Sequence, residues 1–185
     1  MSSAWKILGC RELLSVGRRL RVFVEHVRLP DGREIEDYLQ FVTPAVVAIV
    51  ARTQDGQFVC ERHYKHGAKR IILTLPAGGV EPNEDPLAAA QRELLEETGY
   101  ATQNWQFLGS GVLHANAGGG PVHSFLATDC RAVAKPYSGD LEEISIELKS
   151  SADVLSALST GEMPLVLDLA ALMRAFLVLG VLVQS

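Results

Sequence analysis

Four glutamates and one arginine near the middle of the chain are the residues whose types and spacing best suit chemistry. They are Glu84, Arg92, Glu93, Glu96 and Glu97. On a helical wheel of about 100° per residue, Glu93, Glu96 and Glu97 share one acidic arc. Like charges three or four residues apart repel one another, and the helix macrodipole disfavours anions near the C-terminal end. We therefore expect a cation beside this arc.

The carboxylates indicate which cation this would be. Clustered carboxylates are hard oxygen ligands, which suit Mg²⁺ and also Mn²⁺. Glu93 and Glu97 are four residues apart and lie on adjacent helical turns, so we expect them to be the main metal ligands. Glu84 can reach the site from the preceding loop, Glu96 can support it, and Arg92 can orient the carboxylates. The alternative interpretation is a solvated acidic face on an ordinary amphipathic helix.

The helix that carries these residues has clear boundaries. Asp85 can cap its start, Pro86 fits the first helical position, and Gly99 can end it in a left-handed conformation. A second arc of the wheel, mostly apolar, faces the core. Its members are Leu87, Ala90, Gln91, Leu94 and Thr98.

The stretch 78–100 resembles the Nudix box, G-x5-E-x7-R-E-U-x-E-E-x-G-U, in which U is a bulky apolar residue. Every specified position is filled, by Gly78, Glu84, Arg92, Glu93, Leu94, Glu96, Glu97, Gly99 and Tyr100. Such a long motif in its expected loop–helix context rarely arises by chance. The resemblance implies hydrolysis of a phosphoanhydride bond, with Mg²⁺, or alternatively Mn²⁺, as the cofactor. It also implies that the backbone carbonyl of Ala77 joins the metal ligands.

Other segments resemble the ADP-ribose pyrophosphatase branch of the Nudix hydrolases. They are the N-terminal hairpin, the PAVVAIVA run, Arg-His-Tyr-Lys, Leu-Pro-Ala-Gly-Gly and a Leu-Ala-Ala-Leu tail. The branch implies an α+β fold, an α/β/α Nudix sandwich with a mixed sheet and an additional N-terminal antiparallel hairpin. It also implies a homodimer whose N-terminal strands reach onto the partner. The expected domains are therefore 1–43, for dimerisation, and 44–185, for hydrolysis.

Residue patterns predict the elements of this fold. We expect strands at 5–14, 19–29, 34–42, 44–51, 57–63, 71–75, 105–113, 122–128 and 141–148, with helices at 86–98, 152–158 and 164–179. The apolar run 44–51 is typical of a central strand buried on both faces. The chain is expected to leave its strand at Arg62–Lys65 and to form a glycine-rich loop, mobile or tightly approached, at 114–121. Strands before, between and after a few helices favour a mixed α+β sandwich.

The general base that activates water has several candidates. By resemblance to the branch, it comes from a later loop, where Glu142 is the matching residue. An ordinary acidic strand start is the alternative interpretation of that loop. Glu93 or Glu96 is the alternative base, because metal coordination makes water acidic enough for a weak carboxylate base to suffice.

The substrate is predicted to be a nucleoside diphosphate linked to another moiety, with ADP-ribose or a nucleotide sugar foremost. Candidate substrate-binding residues are Arg62, Tyr64, Lys65, Gly78, Gly79, Asn116 and Gly118. The sequence departs from the branch at Thr74, where a glutamate is common, and at Asn116–Gly118, where Ser-Pro-Gly is common. Alternatives are a hydrolase of dinucleoside polyphosphates or nucleoside triphosphates, and a nucleotide-sensing module without turnover. The second alternative would be expected to lose box carboxylates, and this chain keeps them all.

Composition excludes several partners. The chain has 185 residues, enough for a sizeable core, and a net charge of -5, which does not favour a nucleic-acid partner. Its three cysteines are scattered, which predicts reduced thiols in the cytoplasm, and residues 1–20 do not read as a signal peptide. The apolar run 165–183 is interrupted by Asp168 and Arg174, so we expect a docked core helix and no membrane partner.

Overall fold

The computed structural model describes residues 4–137 and 143–181, and the chain divides into two compact units. One unit comprises Met1–Ala45 with Gly111–Pro121, and the other comprises Val46–Ser110 with Val122–Ser185. The predicted base Glu142 lies outside the described residues. No helix in the described part of the chain is long and apolar enough to cross a bilayer.

The first unit is built on three antiparallel strands, β1 (Lys6–Val16), β2 (Leu20–Arg28) and β3 (Glu34–Val42). The predicted hairpin is the β2–β3 pair, joined by the turn at Gly32, whose φ is 87°. The prediction of a hairpin alone was incomplete, because β1 pairs with β2 along its whole length. The sequence of β1 lacks alternation because nearly all of its residues are exposed.

The second unit contains the shorter strands and the helices. Its elements, two of which extend into the first unit, are β4 (Val46–Thr53), β5 (Phe58–Lys65), β6 (Arg70–Thr74), β7 (Ala77–Gly79), β8 (Tyr100–Ala101), β9 (Asn104–His114), β10 (Gly118–Ala132), β11 (Ser145–Lys149), α1 (Pro86–Glu93), α2 (Ser151–Thr160) and α3 (Val166–Leu179). Strand β4 runs parallel to β10 and antiparallel to β5 and β7, so the sheet is mixed as predicted.

Strand β4 separates two apolar cores. Ala48 and Val50 contribute to the core that contains Leu172 and Phe176 of α3. Val47, Ile49 and Ala51 contribute to the core that contains Ala89 and Ala90 of α1. Successive side chains of a strand point to opposite faces of the sheet, so α1 and α3 pack on opposite faces. This arrangement confirms the predicted α/β/α sandwich and the burial of β4 on both faces.

Two local predictions were wrong. The chain does not leave its strand at Arg62, because β5 continues to Lys65 and pairs there with Arg70 of β6. The segment 118–120 is part of β10 and only 115–117 form the turn. A Cβ added at Gly120 would lie 2.1 Å from the carbonyl oxygen of Pro44. These glycines therefore permit a close backbone approach, which was one of the two expected roles.

Candidate active site

Helix α1 starts as the sequence predicted. The Asp85 carboxylate accepts hydrogen bonds from the backbone N–H groups of Leu87, at 2.9 Å, and Ala88, at 3.3 Å, and Pro86 is the first helical residue. The helical path ends at Gly99, whose φ is 73°. A Cβ there would lie 2.2 Å from the carbonyl oxygen of Ala134, so the position requires glycine on two counts.

The last turn before Gly99 differs from the α-helix that was predicted. Residues Leu94–Thr98 form a π-helical segment, which carries Glu96 and Glu97. The Thr98 hydroxyl donates a hydrogen bond to the carbonyl of Leu94, and such back-bonding bends helices. The backbone N–H of Tyr137 also bonds to the carbonyl of Glu96, at 2.7 Å. π-Helical turns are rare and occur frequently at functional sites.

Glu93 lies directly against the backbone at Gly78. A Cβ added at Gly78 would lie 1.9 Å from Cδ of Glu93 and 2.2 Å from each carboxylate oxygen. Strand β7, which contains Gly78, is held in place by antiparallel pairing with β4. The box glycine therefore provides the space that the Glu93 carboxylate occupies.

Arg92 joins three of the box carboxylates, those of Glu84, Glu93 and Glu96, into one network. Its guanidinium donates to both oxygens of Glu84, at 2.9 and 3.0 Å, and to the carbonyl of Gly79, at 3.0 Å. It also donates to Glu93 at 2.8 Å and to Glu96 at 3.3 Å. The hydrogen bonds from Arg92 lower the pKa of Glu84 to about 2, and the same partners raise the pKa of Arg92. Both Glu84 and Arg92 are thus held in their charged forms.

Glu97 is the most buried of the box carboxylates, with 6% of its surface exposed. One of its oxygens accepts a hydrogen bond from the backbone N–H of Ala77, at 3.0 Å. Glu96 faces outward, and 44% of its side chain is exposed. The structure therefore brings all eight box candidates together. They are Ala77, Gly78, Gly79, Glu84, Arg92, Glu93, Glu96 and Glu97.

The chemistry of these groups suits a hard divalent cation. The available donors are carboxylate oxygens and a backbone carbonyl, and soft or nitrogen ligands are not among the box residues. Among the described residues, however, no group of three or more His, Cys, Asp or Glu side chains already has the arrangement of a metal site. The Arg92 and Ala77 N–H groups now take up carboxylate oxygens, so binding would require a local rearrangement of side chains.

The basic residues predicted to bind substrate have partners of their own. Arg62 pairs with Glu147 of β11 and with Glu162, and these bonds raise its pKa. The Tyr64 hydroxyl lies 3.2 Å from Nδ1 of His66. Burial raises the pKa of the Asp168 carboxyl group, and the charge of Lys65 opposes this shift. Arg62 and Tyr64 nevertheless line one open cavity of about 510 Å³, together with His63, Ile71, Glu143, Ile144 and Ser145.

Asn116 and Gly118 belong to the other compact unit. The carbonyl of Asn116 accepts a hydrogen bond from the Gln40 side chain, at 2.7 Å. Gly118 has a φ of 89° and pairs with Phe41 of β3. The contacts of both residues within their unit are structural, and their role towards a substrate stays a prediction.

Thr74 and Asp168 were noted separately in the sequence, but they were not predicted to belong to one group of buried polar side chains. This group consists of Glu61, His63, Thr74 and Asp168, none of them more than 3% exposed. The Thr74 hydroxyl lies 3.0 Å from Nε2 of His63. Thr74, where the branch commonly has a glutamate, therefore makes a buried polar contact in this chain. The available signal was Asp168 itself, a charged residue inside an apolar helical run.

Comparison with known proteins identifies the family. The Nudix domain model matches residues 42–147, more than half of the chain. The protein therefore belongs to the Nudix family, and it is a Nudix hydrolase. The ADP-ribose pyrophosphatase of Bacillus subtilis (strain 168) is 30% identical over 137 residues, which cover 72% of this chain and 71% of that protein.

Two further comparisons extend this result. A CMP-5'-(N-acetyl-N-hydroxy-3-aminopropyl)phosphonate hydrolase of Streptomyces rubellomurinus is 29% identical over 153 residues, 78% of this chain and 74% of that protein. The crystal structure of an ADP compounds hydrolase superimposes with a TM-score of 0.79 at 18% identity, covering 95% of this chain and 94% of that chain. The last comparison concerns the fold alone. The sequence relatives support the predicted resemblance to the ADP-ribose pyrophosphatase branch.

Proposed function

We propose that this Nudix hydrolase cleaves the phosphoanhydride bond of a nucleoside diphosphate linked to another moiety, with ADP-ribose or a nucleotide sugar as the substrate. The products are a nucleoside monophosphate and a sugar phosphate. The observation that carries the proposal is the cluster of glutamate side chains around Ala77 and Gly78. Glu93 and Glu97 of this cluster lie against the backbone there. Similarity to an ADP-ribose pyrophosphatase supports the choice of substrate.

In this proposal Glu93 and Glu97 hold Mg²⁺, or Mn²⁺, with help from Glu84, Glu96 and the carbonyl of Ala77. A divalent ion at such a site neutralises charge on the phosphate oxygens and increases the acidity of water. The chain's own contribution is to keep these side chains ionised and oriented. The pKa of Glu84, lowered to about 2, supports this for neutral pH.

Arg92 is proposed to act as the orienting group, because it contacts Glu84, Glu93, Glu96 and the carbonyl of Gly79 at once. The base that takes the proton from water is proposed to be Glu142, with Glu93 or Glu96 as the alternative. The backbone N–H of Tyr137, shortly before Glu142 in sequence, donates a hydrogen bond to the backbone carbonyl of Glu96. Substrate contacts are proposed for Arg62, Tyr64, Lys65, Gly78, Gly79, Asn116 and Gly118.

A homodimer in the cytoplasm completes the proposal. Several large apolar side chains of the N-terminal strands are exposed, which a second copy of the chain could cover. They are Ile7, Leu13, Leu14, Val16, Leu39 and Val42. The three cysteines are free, and burial raises the thiol pKa of Cys60 to about 12 and of Cys130 to about 11. Light scattering after gel filtration tests the dimer, and a monomer at micromolar concentration would contradict it.

The decisive experiment is a panel of pyrophosphate compounds incubated with the purified protein and Mg²⁺ or Mn²⁺, with the products separated by chromatography. The panel includes ADP-ribose, nucleotide sugars, CMP conjugates, dinucleoside polyphosphates and nucleoside triphosphates. We expect metal-dependent release of a nucleoside monophosphate from one of the first two classes. Preference for the last two classes would favour the alternative substrates. Tight nucleotide binding without any hydrolysis would contradict the proposal.

A further inference from the structure

Asp168 is a buried carboxyl group that the proposed chemistry does not use. It lies in the first turn of α3, is fully buried, and packs among core residues such as Leu172. Its Oδ2 accepts a hydrogen bond from the backbone N–H of Leu75, at 3.4 Å. Its Oδ1 is buried without a hydrogen-bond partner among the described residues. Burying such a group costs free energy, which the hydrogen bond from Leu75 offsets in part.

Leu75 lies at a critical place in the chain, between the end of β6 and the box. Three hydrogen bonds hold the segment at successive residues. Asp168 accepts from the N–H of Leu75, the carbonyl of Pro76 accepts from the N–H of Ile49 at 3.0 Å, and Glu97 accepts from the N–H of Ala77 at 3.0 Å. Pro76 has no N–H of its own. Asp168 and Glu97 therefore take up both backbone donors of this segment.

We infer that Asp168 is a positioning residue for the hydrolase reaction. From its place on α3, the Asp168 carboxyl group fixes the Leu75 amide. It thereby holds the backbone of Ala77 and Gly78 in register with the side chains of Glu97 and Glu93. The inference rests on the proposed roles of Ala77, Glu93 and Glu97. It differs from simple packing because the carboxyl group, and not the apolar surface around it, makes the contact. Proline at position 76 stiffens the connection, since its ring fixes φ.

The surroundings of Asp168 decide which variant preserves the contact. Burial, and to a smaller degree the charge of Glu61, raise its pKa to about 8, whereas the Leu75 amide and Lys65 oppose this shift. Burial, and to a smaller degree the charge of Asp168, raise the thiol pKa of Cys60. At neutral pH the side chain is mainly a neutral acid whose carbonyl oxygen can accept from Leu75. Asparagine has the same shape and the same acceptor.

The test compares Asp168→Asn, Asp168→Ala and Asp168→Leu with Val154→Ala, a control that removes buried apolar volume from α2 without removing a hydrogen bond. Two quantities are measured for each variant. One is the pair of constants kcat and KM for the substrate found in the panel. The other is the hydrogen-exchange rate of the Leu75 and Ala77 amides by NMR, without metal or substrate.

We expect Asp168→Ala and Asp168→Leu to lower kcat about tenfold while KM stays within about twofold, because a lost hydrogen bond of this kind is worth about a factor of ten. Both amides should exchange about tenfold faster in these variants. Asp168→Asn should retain wild-type kcat and exchange rates, and Val154→Ala should lose thermal stability without a specific change at Leu75 or Ala77. If the alanine variant does not fold, the leucine variant, which fills the space, provides the same comparison.

Two results would overturn the inference. One is an unchanged exchange rate at Leu75 and Ala77 in the acceptor-free variants, and the other is a loss of kcat in Asp168→Asn as large as that in Asp168→Leu. Failure of the proposed function looks different. In that case the wild-type protein turns over no member of the panel, while the exchange rates still report whether Asp168 holds the segment.

Discussion

The substitution Gly78→Ala tests the geometry of the active site most directly. The new methyl group would lie 1.9 Å from the Cδ atom of Glu93, whereas an ordinary contact needs about 3.4 Å or more. The Glu93 side chain must therefore move by about 1.5 Å, because it is more flexible than the paired backbone of β7. A displacement of this size can lower a catalytic rate about a hundredfold. We expect kcat to fall by at least that factor.

The fold should survive this substitution. The φ of Gly78 lies outside the left-handed region, so alanine is compatible with its backbone and gains about 0.4–1 kcal/mol through the unfolded state. The displaced Glu93 loses its hydrogen bond from Arg92. Because this ion pair is partly exposed, its loss costs a free energy similar to the gain from alanine. The free energy of unfolding should change by less than about 1 kcal/mol. For a chain of this size that corresponds to a shift in Tm of less than about 4 °C.

The neighbouring glycine provides the control. A methyl group at Gly79 would meet no atom within 4 Å, so Gly79→Ala should bind Mg²⁺ with wild-type affinity. Because Gly79 is itself a proposed substrate contact, the two variants are compared by calorimetric titration with Mg²⁺ and by thermal unfolding, and steady-state kinetics are measured for Gly78→Ala against the wild type. Our account of Glu93 as a metal ligand would be refuted if Gly78→Ala bound Mg²⁺ like the wild type, or if both variants lost Mg²⁺ affinity equally.

Three further predictions concern charge. Arg92→Lys loses the two-pronged contact with Glu84, so an NMR titration should find the pKa of Glu84 closer to its ordinary value than about 2. The stability that this pair contributes is present above the ordinary pKa and is lost as the pH falls towards 2, and it should be smaller in the variant. An unchanged titration of Glu84 would contradict the assignment. The Tm of Asp168→Asn should exceed that of the wild type by an amount that grows between pH 4 and 8. Because the pKa of Asp168 is raised to about 8, the wild-type protein loses stability as the pH rises through that window. A Tm difference that is independent of pH would contradict the direction of this pKa shift. Mg²⁺ at a hundredfold excess over its Kd should raise the wild-type Tm by roughly 5 to 10 °C. Glu97→Gln should abolish most of this shift. If the variant showed the full wild-type shift, Glu97 would not be a metal ligand.

The parts of the fold that sequence could predict are those set by local chemistry. Asp85, Pro86 and Gly99 determine the ends of the box helix through capping, a fixed φ and a left-handed residue, and each acts within a few residues of itself. Strand β4 could also be predicted without information about its neighbours, because a continuous apolar run is typical of a central strand buried on both faces. The box carboxylates were found because their spacing matches the helical period.

Features that depend on distant partners could not be predicted. The π-helical turn is associated with the Tyr137 bond to Glu96, far along the chain. Arg62 looked like a free cation in a basic segment, but its partners Glu147 and Glu162 come from much later residues. The glycines at 118–120 could be recognised as unusual, but the carbonyl of Pro44 that requires Gly120 could not. In each case the physical cause lies in tertiary contact and not in local preference.

The turn between α2 and α3 has a consequence for how the protein could be cut or rebuilt. Although it lies at the surface, it is tied down at successive residues: Arg70 bonds the carbonyl of Gly161 at 2.7 Å, Leu73 bonds the carbonyl of Glu162 at 3.1 Å, and Met163 bonds back to Ala157 at 3.1 Å. A protease must draw several residues out into an extended conformation, which these bonds oppose. The turn should therefore resist limited digestion, and it is a poor place to insert a tag or to open new termini.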